Sequence, residues 1–272
     1  MHNRHGTIRK QTGFTPPLRG AGFTLIELLV VIAILTLLMA MLLPTLQRAK
    51  EQAKAVNCML NLRQWGLYLA MYTRDNNEFF HRGWNASSHY NEGWMFVLRP
   101  YYRDDKNLLR CPTATKPRIE GGDATFGAWT NRDGDHGSYG INIWVTSPLQ
   151  GEEGGRPAEC YWRRCDVKGT RDIPMFLDDY NWDTRPDPTD EPPQYQGQVA
   201  DWTTHAMKMF CLDRHNGHTN GVFVDFSVRR IGLKELWTLK WHRQFDTEGP
   251  WTTAGGVRPT DWPEWMRHFK DY

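Results

Sequence analysis

Residues 19–44 read RGAGFTLIELLVVIAILTLLMAMLLP, and this stretch decides how the chain is built. From Phe23 to Leu43 only Thr24, Glu27 and Thr36 are polar. At a rise of about 1.5 Å per residue the block spans about 30 Å, the thickness of one hydrocarbon core. An ordinary secretory signal has a shorter apolar region followed by a small-x-small cleavage site. Here Ala40 lies inside the block, with bulky Met41, Leu42 and Leu43 after it. Glu27 argues against a plain uncleaved anchor as well. A carboxylate near the bilayer centre costs about 2.5 kcal/mol or more, less at one turn from the start, and an ionisable residue in a membrane segment is a functional hypothesis by default.

Upstream of the block lie Arg4, Arg9, Lys10 and Arg19 and no acid. Basic residues beside a membrane segment set its orientation. The whole chain carries +2, so removing these four charges leaves −2 for the remainder. A near-neutral body gives no electrostatic footprint for nucleic acid. Downstream, Leu46, Ala49, Ala53, Val56, Leu60, Leu67 and Met71 recur at helical spacing. This predicts one long helix from Phe23 to about Tyr72, its second half packed on a globular domain. Pro44 is expected to kink the helix near the membrane exit, the alternative being a helix end there. Arg74-Asp75-Asn76-Asn77 supplies the terminating turn.

GFTLIELLVVIAIL resembles the processing site of type IV prepilins and type II secretion pseudopilins. The resemblance rests on the basic leader ending in Gly22, on Phe23 as the new N-terminus, on Glu27 as the fifth mature residue, and on Pro44. It implies cleavage between Gly22 and Phe23 by an inner-membrane aspartyl prepilin peptidase, with methylation of the Phe23 amine by the same enzyme. It also implies that Glu27 pairs with the Phe23 amine of a neighbouring subunit in a filament. The partners are then the peptidase, other pseudopilin subunits and the inner membrane, crossed once with the N-terminus cytoplasmic and the C-terminal domain periplasmic or on the cell surface. The expected organisation is a leader 1–22, a membrane helix 23–44, its amphipathic continuation 45–73 and a globular domain 74–272.

CMLNLRQWGLYLAMYTRDN (58–76), LLRCP (108–112), SYGIN (138–142) and RHNGHTNGVFVDFSVRRI (214–231) resemble the large pseudopilin-like proteins with a C-terminal H-x9-D-G motif, abundant in planctomycetes and related bacteria. His215 and Asp225 have that spacing, with Phe226 where glycine is expected. Strands are predicted at 221–228, 138–145 and 173–177, a short helix at 233–241, and surface loops at 146–160 and 183–198. The fold class is α+β: a long N-terminal helix on a small antiparallel β-sheet domain with long loops, as in pilins.

Five cysteines, Cys58, Cys111, Cys160, Cys165 and Cys211, follow the apolar block. An exported location permits disulfides. Cys58 with Cys111 is the candidate that ties helix to domain, for about 2–4 kcal/mol. Cys160 and Cys165 are placed to close a small loop, and free buried thiols are the alternative. His215, His218, Asp213 and Asp225, with Asp201 and His205 before them, contain metal-ligand types, but no zinc-enzyme spacing matches, and a hydrogen-bonded structural histidine is the stronger reading.

Major pseudopilins bind calcium through a C-terminal loop, which makes Asp178, Asp179 and Asp183 weak calcium candidates against solvated carboxylates. No other cofactor is expected. Thirteen tryptophans, crowded toward the C-terminus at Trp182, Trp202, Trp237, Trp241, Trp251, Trp262 and Trp265, are expected to fill a core short of aliphatic residues rather than stack on ligands. No catalytic signature is present. The expectation is a structural subunit, not an enzyme. An anchored surface binding protein that never polymerises is the runner-up, and an anchored hydrolase using the His215 region comes third.

Overall fold

Helix α1 (Leu25–Asp75) is one 51-residue element. The computed structural model describes residues 24–83, 93–117, 124–131, 133–199 and 205–272. The chain forms two compact units, Met1–Arg48 and Ala49–Tyr272, and α1 contributes to both. Pro44 lies inside the helix and does not end it. Every described residue from Thr24 to Arg48 is exposed.

The second half of α1 packs on the domain, but through a face other than the expected one. Cys58, Leu62, Trp65, Gly66, Leu69 and Thr73 are buried. Leu46, Ala49, Ala53, Val56, Leu60, Leu67 and Met71 are all exposed. At about 100° per residue the two stripes lie on nearly opposite sides of the helix. Periodicity found an apolar stripe correctly and could not say which of two faces the core. Gly66 marks the true one: a Cβ there would lie 2.8 Å from Val222 Cγ2, so its absence lets helix and sheet approach closely.

Two one-turn helices, α2 (Trp94–Val97) and α3 (Arg99–Tyr102), precede a three-stranded sheet of β1 (Lys116–Pro117), β2 (Gly127–Thr130) and β3 (His136–Gly137), in that order. The main sheet contains β4 (Tyr139–Asn142), β5 (Pro174–Asp178), β6 (Asp183–Thr184), β7 (His218–Phe223) and β8 (Val228–Gly232), ordered β6-β4-β5-β7-β8. It is mixed rather than purely antiparallel, because edge strand β6 runs parallel to β4. Strand β5 is buried at all five positions, as a central strand covered on both faces should be.

Two predicted strands are shorter than expected. At 138–145, the Asn142 side chain accepts the Trp144 N–H at 3.2 Å and donates to Pro174 O and Trp241 O, turning the chain after β4. At 221–228 the alternation hides a hairpin. Phe226 N–H donates to Phe223 O at 2.8 Å, and Asp225 Oδ1 accepts the Ser227 N–H and hydroxyl. Phe226 takes φ 63, the left-handed conformation that glycine adopts without penalty. The predicted helix at 233–241 is a 3-10 turn, Lys234–Thr238.

Tryptophans dominate the core. Trp65 stacks edge-on against Trp94 and Tyr102 at 4.8 and 4.9 Å. Trp65, Trp94, Trp129, Trp144, Trp162, Trp237 and Trp241 each donate the indole N–H to a backbone carbonyl. Buried indoles need such a partner, so these bonds fix ring orientation as well as satisfying the group. Trp202 lies outside the described residues.

Candidate functional site

Four polar side chains from distant parts of the sequence meet under α1. Cys58 comes from the buried stripe of the helix, and Cys111 follows a 3-10 turn at Lys106–Leu109. Asp178 ends β5, and His215 precedes β7. All four are at most 5% exposed. Their ligand atoms lie within 4.8 Å of one another. His215 Nε2 is 3.1 Å from Asp178 Oδ2 and 3.5 Å from Cys111 Sγ. Cys58 Sγ donates to Asp178 at 3.3 Å.

The surroundings hold this cluster. The Asn220 N–H donates to Asp178 Oδ2 at 3.1 Å, and the Thr113 N–H to Cys111 Sγ at 3.5 Å. Arg214 Nη1 lies 3.4 Å from Asp178 Oδ1. The same guanidinium donates to the carbonyls of Thr125, Gly127, Ser138 and Asp179 at 2.7–3.0 Å. Burial pushes the Asp178 carboxyl up, but His215, Arg214 and the Asn220 N–H outweigh it and hold the group down to about 2. Burial pulls His215 down, and Asp178 more than reverses this, raising it to about 10. Burial raises Cys111, yet the Cys58 thiol and His215 bring it to about 6, while burial pushes the Cys58 thiol well up. The arrangement is no nucleophilic triad. Cys111 and Asp178 share one imidazole nitrogen instead of occupying opposite ones.

At the other end of the chain, Gly22 and Phe23 lie outside the described residues. Glu27 has a local role that its cost in a membrane did not suggest. Its Oε2 accepts both the Thr24 N–H and hydroxyl at 2.8 Å, and Thr24 Oγ1 accepts the Glu27 N–H at 3.2 Å. This reciprocal pair is a capping box, and T-x-x-E before the apolar run was its unread sequence signal. It satisfies helix-end donors and places a negative charge at the positive end of the helix. Thirteen Leu, Ile and Val residues between Leu25 and Leu43, at about 0.3–0.6 kcal/mol each, outweigh a single terminal carboxylate for insertion. The helix is long and apolar enough to cross a membrane.

Residues 19–43 match the prokaryotic N-terminal methylation motif. The motif is of prepilin type and implies processing by a prepilin peptidase. With the long apolar helix it supports a type IV pilin-like, membrane-anchored protein, and it points to a structural subunit rather than an enzyme. No curated protein and no solved structure matches the chain.

The remaining predicted site residues are dispersed. Asp225 sits in the β7–β8 turn, so His215 and Asp225 occupy opposite ends of β7. His218 bonds Asn216 O and Arg230 outside the cluster, and Asp213 caps the Gly217 N–H. His205 accepts the Glu191 N–H near Asp190, and Asp201 lies outside the described residues. Asp178 and Asp179 are fully buried rather than solvated. Asp179 accepts Thr184 Oγ1 and the Asn181 N–H, so the two carboxylates have separate partners. Burial raises Asp179 to about 8 and Asp183 to about 6. Cys165 donates to Glu78 while Cys160 lies near Gln244. All five cysteines are free thiols, with Cys58 and Cys111 side by side. Arg214 and Asn220 fall in the 214–231 patch but were not singled out there as site residues. A buried arginine has no local periodic signal.

Proposed function

We propose that the chain is a pseudopilin-like structural subunit of a type II secretion or type IV pilus-like assembly, cleaved after Gly22 and N-methylated at Phe23. The observation that carries this reading is the methylation motif over residues 19–43 leading directly into an apolar helix whose described residues are all exposed up to Arg48. The stripe Val56, Leu60, Leu67 and Met71 extends the support: its side chains are 47–54% exposed on the helix face turned away from the sheet. Axial packing through residues 23–55 gives the exposed first half of α1 an occupant in neighbouring subunits, and the stripe carries the same apolar face on to Met71. The chain then crosses the inner membrane once, and the domain beyond residue 74 is carried outside. The four motif patches support assigning it to the H-x9-D-G group.

A Glu27→Ala chain is expected to be cleaved normally and to disappear from the pelletable filament fraction, while the unmodified chain enters it carrying N-methylphenylalanine. Failure of the unmodified chain to form any pelletable filament overturns the assembly reading. One observation favours an anchored binding protein instead. A cleft of about 230 Å³ is lined by Trp94, Phe96, Ile141, Ile143 and Trp182, with Asp183 at its side. Mostly apolar clefts with few polar groups are common ligand sites.

A further inference from the structure

We propose that Cys58, Cys111, Asp178 and His215 form a closed four-ligand site for a zinc ion that clips helix α1 to the main sheet. Zinc in structural sites takes four ligands in a tetrahedron, drawn from thiolate, imidazole and carboxylate. Bonds of about 2.0–2.3 Å put tetrahedral ligand atoms about 3.3–3.8 Å apart. With Asp178 Oδ2 as the carboxylate ligand, the cluster already shows 3.1 Å from it to His215 Nε2, 3.4 Å from it to Cys58 Sγ, and 3.5 Å between Cys111 Sγ and His215 Nε2. The four atoms all lie within 4.8 Å, so small side-chain shifts complete the polyhedron.

Chemistry selects the ion. Two sulfurs and one imidazole disfavour calcium and magnesium, which take oxygen ligands. Two thiolates, a carboxylate and the Arg214 guanidinium together with a dication sum to zero charge, which a fully buried site requires. The thiol and imidazolium protons leave to solvent as zinc enters, and no electron is transferred. The surrounding contacts suit the bound state. Arg214 and the Asn220 N–H orient Asp178, and the Thr113 N–H faces the Cys111 sulfur. Such outer contacts fix ligand orientation. With four protein ligands and no exposed face the site is structural, not catalytic. Nothing in it depends on whether the chain polymerises.

The full chain is purified in detergent after thiol alkylation at lysis, and separately without alkylation for metal content. The expected result is about one zinc per chain, with Cys58 and Cys111 alkylated only after chelation. Chelation lowers the thermal midpoint, and added zinc restores it. Cobalt added to the stripped chain produces thiolate-to-cobalt charge-transfer absorption and tetrahedral ligand-field bands. Cys111→Ser abolishes both, whereas His215→Cys, which keeps a ligand, retains the absorption. Should the variants fail to fold, the cobalt titration of the unmodified chain decides. A Cys58–Cys111 disulfide in the chain alkylated at lysis, or free thiols that take up neither zinc nor cobalt, overturns the site.

Discussion

His242 shows how a single buried side chain writes a pH dependence into the domain. Its ring lies 5.0 Å from Trp144 and 5.3 Å from Phe245, and Nδ1 accepts the Gln244 N–H. Burial pulls its pKa down to about 4, with Lys240 adding to the effect and Asp187 opposing it. A group whose pKa falls on folding is protonated first in the unfolded chain. Its effect on stability is therefore flat above about 6.5 and becomes increasingly unfavourable as pH drops toward 4. His242→Asn keeps an acceptor near Nδ1 and cannot titrate. Denaturation of both chains at pH 7.5 and pH 4.5 should show the unmodified chain losing about 1–3 kcal/mol more than the variant; equal losses would remove the assignment. Phe226 makes a related point about conformation. The glycine expected after Asp225 answers a left-handed turn, and here phenylalanine adopts that turn while packing against the core.

At the scale of the element, α1 is a helix with two apolar faces. One carries Leu62, Trp65 and Leu69 into the core, and the other leaves Val56, Leu60 and Leu67 outside. Two substitutions two residues apart separate them. Leu62→Glu should unfold the domain, since it buries an unpaired charge. Leu60→Glu should move stability by no more than about 0.5 kcal/mol while reducing entry into filaments. A large loss of stability in Leu60→Glu would show that the face is not free. The close approach at Gly66 gives a second test. Alanine favours a helix by about 1 kcal/mol over glycine, but its Cβ would meet stiff, β-branched Val222 at 2.8 Å. The collision should win, and Gly66→Ala should destabilise by about 1–3 kcal/mol. Adding Val222→Ala should recover part of that loss, a coupling readable in a double-mutant cycle. Additive effects would place the two residues out of contact.

At the largest scale, Arg214 joins the parts of the unit Ala49–Tyr272. A guanidinium has five N–H donors. Four meet the carbonyls of Thr125, Gly127, Ser138 and Asp179, and one faces Asp178. Those acceptors belong to the small sheet, to the main sheet and to the segments beside them. Lysine carries three donors on one nitrogen and reaches fewer acceptors. Arg214→Lys should therefore cost about 3 kcal/mol or more, visible as a large drop in thermal midpoint; a shift within error would show that the carbonyls find other partners.

The sequence by itself determined what is local. A dense apolar run with a prepilin-type motif specifies the N-terminal helix, because a membrane span needs only length and hydropathy. The positions of β5 and of the α1 terminus followed from runs and turn residues for the same reason. A Cys58–Cys111 disulfide was the expectation from sequence; the structure sets the two side by side as free thiols, and His215 and Asp178 beside them could not be foreseen because they arrive from distant segments. The buried face of α1, the hairpin hidden at 221–228 and the parallel edge strand were decided only by tertiary structure. Each depends on which of two equally apolar faces or pairings finds a complementary surface, and that choice is made by packing between residues far apart in the chain.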